Sequence, residues 1–255
     1  MPMQAIFDIV RTTLTGSKES KMALRPIFSP SLEGKLLVST HHVDFQWYPG
    51  MAKSQSQKSI ASLHAAAQKQ LFIDKVLEIS SKSPEEIGVN LSAFNLMIKT
   101  VKHEREFSLE CAYQASKVFE GGGPFLDLLK VRSIEAKRDP RLNQCGHLVK
   151  FHFYGTDWGL VPRTAFYDWL YINALHKHPE LAEQVLTYRA FSDIAFNPER
   201  SINCQAYAAA LYVSLHERGL LSDNVLKDKA TYLSVINTGE VNNAHENTLT
   251  QDHLL

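Results

Sequence analysis

Three consecutive stretches, Thr164 to His176, Glu180 to Ala190 and Ile202 to Arg218, carry apolar residues at three- and four-residue spacing. That period matches one face of an α-helix, and three such segments in tandem commit this half of the chain to packed helices. Upstream, Ser54 to Ser59 leads into the alanine-rich run Ala61-Ser62-Leu63-His64-Ala65-Ala66-Ala67, which predicts a helix continuing to Leu71. A further helix is expected over Phe72 to Ile79. Ser83-Pro84-Glu85-Glu86 has the polar cap, proline and early acids of a short helical turn that Gly88 ends, and Phe125 to Val131 reads as another short helix. Strand character is confined to the first 46 residues, with runs such as Lys35 to Thr40, and to Val149 to Tyr154, which alternates apolar and polar before Gly155. The expected fold is therefore mainly α with a small β component.

Length and charge narrow the function classes. A chain of 255 residues with 44% hydrophobic content can bury one sizeable core. Its 27 basic and 27 acidic side chains balance, so no global field draws it to nucleic acid or a membrane, and a polyanion would have to be held locally. Residues 1–8 lack the regions of a signal peptide, and no apolar run approaches membrane-helix length. Cys111, Cys145 and Cys204 are odd in number and widely spaced, which points away from a disulfide framework and towards a reducing, cytoplasmic setting. His41-His42 and His176-Lys177-His178 have no acidic or thiol partner at ligand spacing, so no metal is expected. No cofactor motif is present either. Gly121-Gly122-Gly123-Pro124 lacks the Gly-Lys-Ser/Thr ending of a phosphate loop and reads as a helix stop.

The chemistry concentrates in the segment that this stop closes. A helix from Ser108 to Gly121 would place Glu110, Gln114 and Lys117 within about 60° of one another, with Leu109, Ala112, Ala115 and Phe119 opposite. Such a polar face is commonly just solvated. Here Cys111, Tyr113 and Val118 flank it and few charges accompany it, which suits a cleft wall. Cleavage of a C–N bond at an anomeric carbon builds positive charge on the sugar, which a carboxylate such as Glu110 can stabilise while activating water. Lys117 offers either a Schiff-base nucleophile or a cation for a phosphate. Arg138 presents a guanidinium fork suited to a diphosphate. Trp158 suits stacking on a base or anchoring a core. Lys53, Gln55, Gln57 and Lys58 offer donors to nucleic-acid phosphates or a polar helix lead-in.

The run Glu110-Cys111-Ala112-Tyr113-Gln114-Ala115-Ser116-Lys117 resembles the hallmark helix of the NADAR (YbiA-like) family, which carries Glu and then Gln-Ala-x-Lys. Leu91-Ser92-Ala93-Phe94-Asn95 is similar to the family's Ser-Asn-Phe element, Lys137-Arg138-Asp139 to its Gly-Arg-Asp, Asp157-Trp158 to its Asn-Trp, and Asn203-Cys204-Gln205-Ala206 to its Asn-x-x-Gly. Asp193 falls where an acidic residue precedes that last element. Cys111 and Ala112 stand where the family usually has His and an aromatic residue. Tyr48 to His64 looks like the subgroup found beside DarT-type DNA ADP-ribosyltransferase toxins.

The resemblance implies a YbiA-like helical fold with an N-terminal extension over 1–87, a catalytic domain over 88–229 and a polar tail over 230–255. It implies an N-glycosidase that removes ADP-ribose from guanine in DNA, with Glu110 and Lys117 catalytic. Ser92, Phe94, Asn95, Gln114, Arg138, Asp139, Trp158, Asp193 and Asn203 would contact the substrate. ADP-ribosylated DNA would be the substrate and ADP-ribose a product, with the toxin as a possible contact. A riboflavin-pathway N-glycosidase and a non-catalytic, toxin-binding antitoxin are the alternatives.

Overall fold

The structure, a computed structural model, describes residues 21–100, 105–197 and 203–237. The signal-peptide reading at 1–8 and the tail beyond residue 237 lie outside the described residues. In chain order, β1 (Lys21–Pro30) and β2 (Val38–Trp47) form a hairpin, followed by α1 (Lys53–Leu71), β3 (Val76–Glu78), α2 (Glu86–Asn90), β4 (Met97–Lys99), β5 (Glu106–Ser108) and α3 (Leu109–Ala115). Next come β6 (Lys117–Phe119), a 3-10 turn over Leu126–Lys130, α4 (Ser133–Lys137), α5 (Arg141–Gln144), β7 (Leu148–Phe153) and β8 (Thr156–Trp158). The chain finishes with α6 (Ala165–His176), α7 (Pro179–Val185), β9 (Ala190–Ser192), α8 (Gln205–Glu217), α9 (Asp223–Lys227) and α10 (Lys229–Asn237).

Among the described residues the fold is mixed α/β, 44% helical and 22% strand, which corrects the mainly helical expectation. The strands form a four-stranded sheet in the order β2-β1-β9-β3, a β4-β5 pair, and a β6-β7-β8 sheet. Six of these strands are only three residues long, too short to show a period in the sequence. The expected helix over 72–79 is one casualty. Phe72 takes a left-handed conformation (φ 57°) that closes α1, and Val76–Glu78 then pairs parallel with Ala190–Ser192. The stretch 180–190 likewise leaves its helix at Val185 and ends in β9. Gly88 does not end a turn but lies inside α2, where a Cβ would collide with the backbone carbonyl of Glu78 and the hydroxyl of Ser83. Residues 230–237 belong to α10, with Tyr232 fully buried.

Two apolar cores meet at the main sheet. On one side α1 packs Ile60, Leu63 and Ala67 against Ile27, Val43, Phe45, Val76 and Ala190. On the other, α3, α6 and α8 build the larger core. Every residue of α8 from Ala206 to Leu215 is buried, and its small side chains at Ala206, Ala208, Ala209 and Ala210 let neighbouring elements approach closely. The Arg218 guanidinium, at the end of α8, donates to the carbonyls of Ser31, Gly34 and Leu36 and so fixes the β1–β2 loop.

Candidate active site

The segment singled out in the sequence forms a shorter helix than its stop signal predicts. Ser108 caps α3, its Oγ accepting from the Cys111 amide at 3.2 Å. Ser116 ends it, with Oγ donating back to the Ala112 carbonyl at 2.6 Å, and the Phe125 amide satisfies the Ala115 carbonyl at 2.9 Å. Lys117 therefore stands on β6, not on a helix face, and its register opposite Phe151 on β7 sets the side chain's direction. All seven residues of α3 are buried, so no solvated stripe exists.

The polar groups nevertheless converge. Glu110 and Gln114, each 6% exposed, remain one helical turn apart, and Gln114 Nε2 donates to Glu110 Oε1 at 2.9 Å. Among the described residues Gln114 Oε1 is left buried without a partner. Lys117 Nζ lies 5.1 Å from the centre of the Tyr113 ring, whose hydroxyl accepts from Asn203 Nδ2 at 2.6 Å. Burial lowers the Lys117 ammonium to about 8; the Glu110 carboxylate opposes that shift and the Lys137 ammonium adds to it. The Tyr167 hydroxyl, held neutral chiefly by burial, feels both the Glu110 and Asp193 carboxylates. Carboxylate, amide, amine and phenol thus share one largely desolvated site.

A second acidic centre adjoins it. Asp193, 8% exposed, follows β9 and accepts from the Ala195 amide and from Gln205 Nε2, both at 3.0 Å. Gln205 also accepts from the Ala93 amide, and the Ala93 carbonyl in turn receives the Glu110 amide. Burial raises the Asp193 carboxyl to about 6. Behind it, fully buried Glu78 accepts from Ser80, Ser192 and the Ile194 amide, while His64 on α1 reaches Ser192 Oγ at 2.8 Å. Burial, reinforced by the Asp193 charge, pushes Glu78 from 4.5 up to about 8.

A carboxyl that holds its proton more tightly when folded stabilises the fold fully below its unfolded value and loses that contribution as pH rises through the folded one. His64, lowered by burial to about 4, works in the opposite sense only below its unfolded value of 6.5. Stability is therefore expected to fall between pH 6.5 and 8, and Glu78→Gln to flatten that decline. Urea unfolding across this range checks it; an unchanged slope in the variant would remove Glu78 as the cause.

The remaining sequence candidates fall in several places. Ser92 Oγ and Asn95 Nδ2 both donate to the Val89 carbonyl, closing α2, with Asn95 exposed. Phe94 is half-buried, and the Lys137 ammonium sits 5.4 Å from its ring centre. Arg138 is exposed after α4, whereas Asp139 is occupied by the Arg141 guanidinium, which also grips Asp127. Trp158 is 2% exposed and packs against Phe166, Trp169 and Tyr232 in the core. Lys53 and Lys58 are exposed and Gln55 and Gln57 half-buried on α1, which packs on β2. Two groups of the site are not among the residues the sequence assigns to it: Tyr113, whose ring faces the amine, and Lys137, which acts on both Lys117 and Asp193. Both lie inside the motifs above, where neither residue type by itself signals a site role.

Among the described residues no cluster of His, Cys, Asp and Glu is arranged to hold a metal, and no helix is long and apolar enough to cross a membrane. No curated protein matches the chain. A family model described as DarT1-associated NADAR antitoxin matches residues 23–246, which covers the N-terminal hairpin, α1 and the whole site. The chain belongs to that NADAR antitoxin family.

Proposed function

We propose that this antitoxin-family protein acts as an enzyme, an N-glycosidase that removes ADP-ribose from guanine bases in DNA and so reverses the modification made by a partner toxin. The observation that carries the reading is the pairing, in one buried site, of a carboxylate held by an amide with an amine of lowered proton affinity. That pair matches the two demands of cleaving a ribosyl C–N bond. Glu110 meets positive charge developing at the anomeric carbon and takes a proton from the attacking water. Lys117, a substantial part of it neutral near pH 8, can attack C1 of the ring-opened sugar iminium, and the guanine amine departs with the proton the lysine gives up. Water, with Glu110 as base, then releases the sugar from the lysine imine, and the amine is regenerated.

In this proposal Arg138, exposed beside Lys137, serves the diphosphate, and Lys53, Gln55, Gln57 and Lys58 contact the strand. Ser92, Asn95 and Asp139 act by shaping the walls, since their side chains are committed to protein partners. Trp158, sealed in the core, takes no part. A DNA substrate puts the reaction in the cytoplasm. Incubating the protein with an oligonucleotide carrying ADP-ribose on guanine should yield unmodified DNA and free ADP-ribose by mass. An unchanged adduct with folded protein would sink the reading.

A further inference from the structure

Beside the candidate site, behind the end of α3, lies a groove of about 670 Å³. Its floor includes Ala115 and Ser116, the two residues immediately before Lys117. Its walls are apolar: Phe107, Leu126, Leu129 and Phe153, with Tyr154 at one end. A volume of this size lies in the range of small-ligand clefts and is large enough to admit a nucleobase with part of its sugar-phosphate.

Two of the lining residues are more exposed than such side chains ordinarily are. Leu126 and Tyr154 are each 60% exposed. Tyr154 sits at the tip of the β7–β8 hairpin with φ 45°, a left-handed conformation that bulky residues rarely adopt, and Gly155 follows at φ 81°. The Tyr154 ring meets Phe153 edge-on, with centres 4.7 Å apart, so it is braced in position and not loose in solvent. A glycine or asparagine would make this turn with less strain, and neither would present an aromatic face to the groove.

The rim carries the charges a nucleic-acid strand needs. Arg105 and Lys130 line the groove, and among the described residues neither has an ion-pair partner. Of the two acids at the rim, Asp127 is held by the Arg141 guanidinium at 2.6 Å, while Glu106 stands opposite Lys99 in the β4–β5 register without an ion pair to it. His152 is tied to Asp157 at 2.6 Å and stays on its own strand pair. What remains is two cations and one carboxylate without ion-pair partners, a small positive excess beside an exposed aromatic ring, and such a ring with nearby cations can hold single-stranded bases by stacking and their phosphates by charge.

We propose that this groove binds the unpaired base next to the modified guanine, stacked on Tyr154, with Arg105 and Lys130 on the adjoining phosphates. The proposal rests on the DNA glycosidase reading above and names how that site engages the strand beyond the reacting sugar. It also fits the placement of the groove, whose lining includes Ala115 and Ser116, the residues that precede Lys117 at the α3–β6 junction.

The test compares two substrates, a single-stranded oligonucleotide carrying ADP-ribose on guanine and the same adduct on a lone guanine mononucleotide. Tyr154→Ala is expected to raise KM for the oligonucleotide about tenfold, with kcat and all mononucleotide kinetics unchanged, and Tyr154→Phe to restore it. Lys130→Ala should reduce the salt dependence of oligonucleotide binding. Equal KM for the oligonucleotide in Tyr154→Ala and the parent protein would overturn the proposal while leaving the glycosidase reading standing. An equal loss on both substrates would overturn it too, because the groove would then hold part of the ADP-ribose itself. If the parent protein hydrolyses neither substrate, the glycosidase reading fails on its own. The groove is then judged by anisotropy of an unmodified labelled oligonucleotide, where affinity unaffected by Tyr154→Ala overturns it.

Discussion

Replacing Glu110 with Gln is expected to lower hydrolysis of the guanine adduct by about a thousandfold, the scale on which a positioned acid–base group contributes. The substitution keeps the volume and a carbonyl oxygen for Gln114 Nε2 to donate to, so the buried packing of α3 survives. What disappears is the negative charge facing the sugar and the base that activates water. Loss of the carboxylate leaves the Lys117 ammonium without its charge partner, so a melting curve close to that of the parent is expected above pH 8, where the amine is mostly neutral, and a lower one below it. The same variant separates catalysis from contact. An antitoxin that works by binding its toxin keeps its protective effect in cells as Glu110→Gln, whereas one that works by hydrolysis loses it. Retained protection together with retained hydrolysis would exclude Glu110 from the chemistry altogether.

Lys117→Arg should be as damaging, and its value lies in what each role of the lysine predicts. If the side chain only holds a phosphate, arginine serves at least as well, being a permanent cation with a bidentate fork. If it forms the imine, arginine cannot substitute, and a loss of about a hundredfold or more follows. The protein with Lys117 intact should also show a rate that climbs with pH and levels off above about 8, as the buried ammonium gives up its proton. Borohydride added during turnover should reduce the imine to a stable amine and leave the sugar attached at Lys117. Hydrolysis by Lys117→Arg at the parent rate, or a pH profile flat from 6 to 9, would leave the lysine without a covalent role.

How much of this was readable from the chain depends on the range over which each feature is determined. Glu110 and Gln114 meet because four residues along a helix make one turn, a local fact legible in any sequence. The sequence places Lys117 on the same face by continuing the helix for less than one further turn. It reaches the same site by a different path, since Ser116 and the Phe125 amide close the helix and β6 pairs with a strand 30 residues away. The glycine run that looked like a helix stop instead follows a short strand. Val76 to Glu78 and Ala190 to Ser192 become strands only because each finds the other across more than a hundred residues, and nothing within either triplet distinguishes strand from buried helix. Tyr113 and Lys137 acquire meaning only from what folds against them.

The four-stranded sheet carries a consequence for how such a protein can be shortened or recombined. Three of its strands precede residue 79, and the fourth, β9, leads directly into Asp193. A chain beginning at residue 88 would retain every motif of the site yet strip β9 of both neighbours, baring a strand edge and the apolar underside that α1 covers. The early segment is accordingly part of the sheet that positions Asp193 rather than an appendage, and lineages of this architecture would be expected to inherit the two parts together.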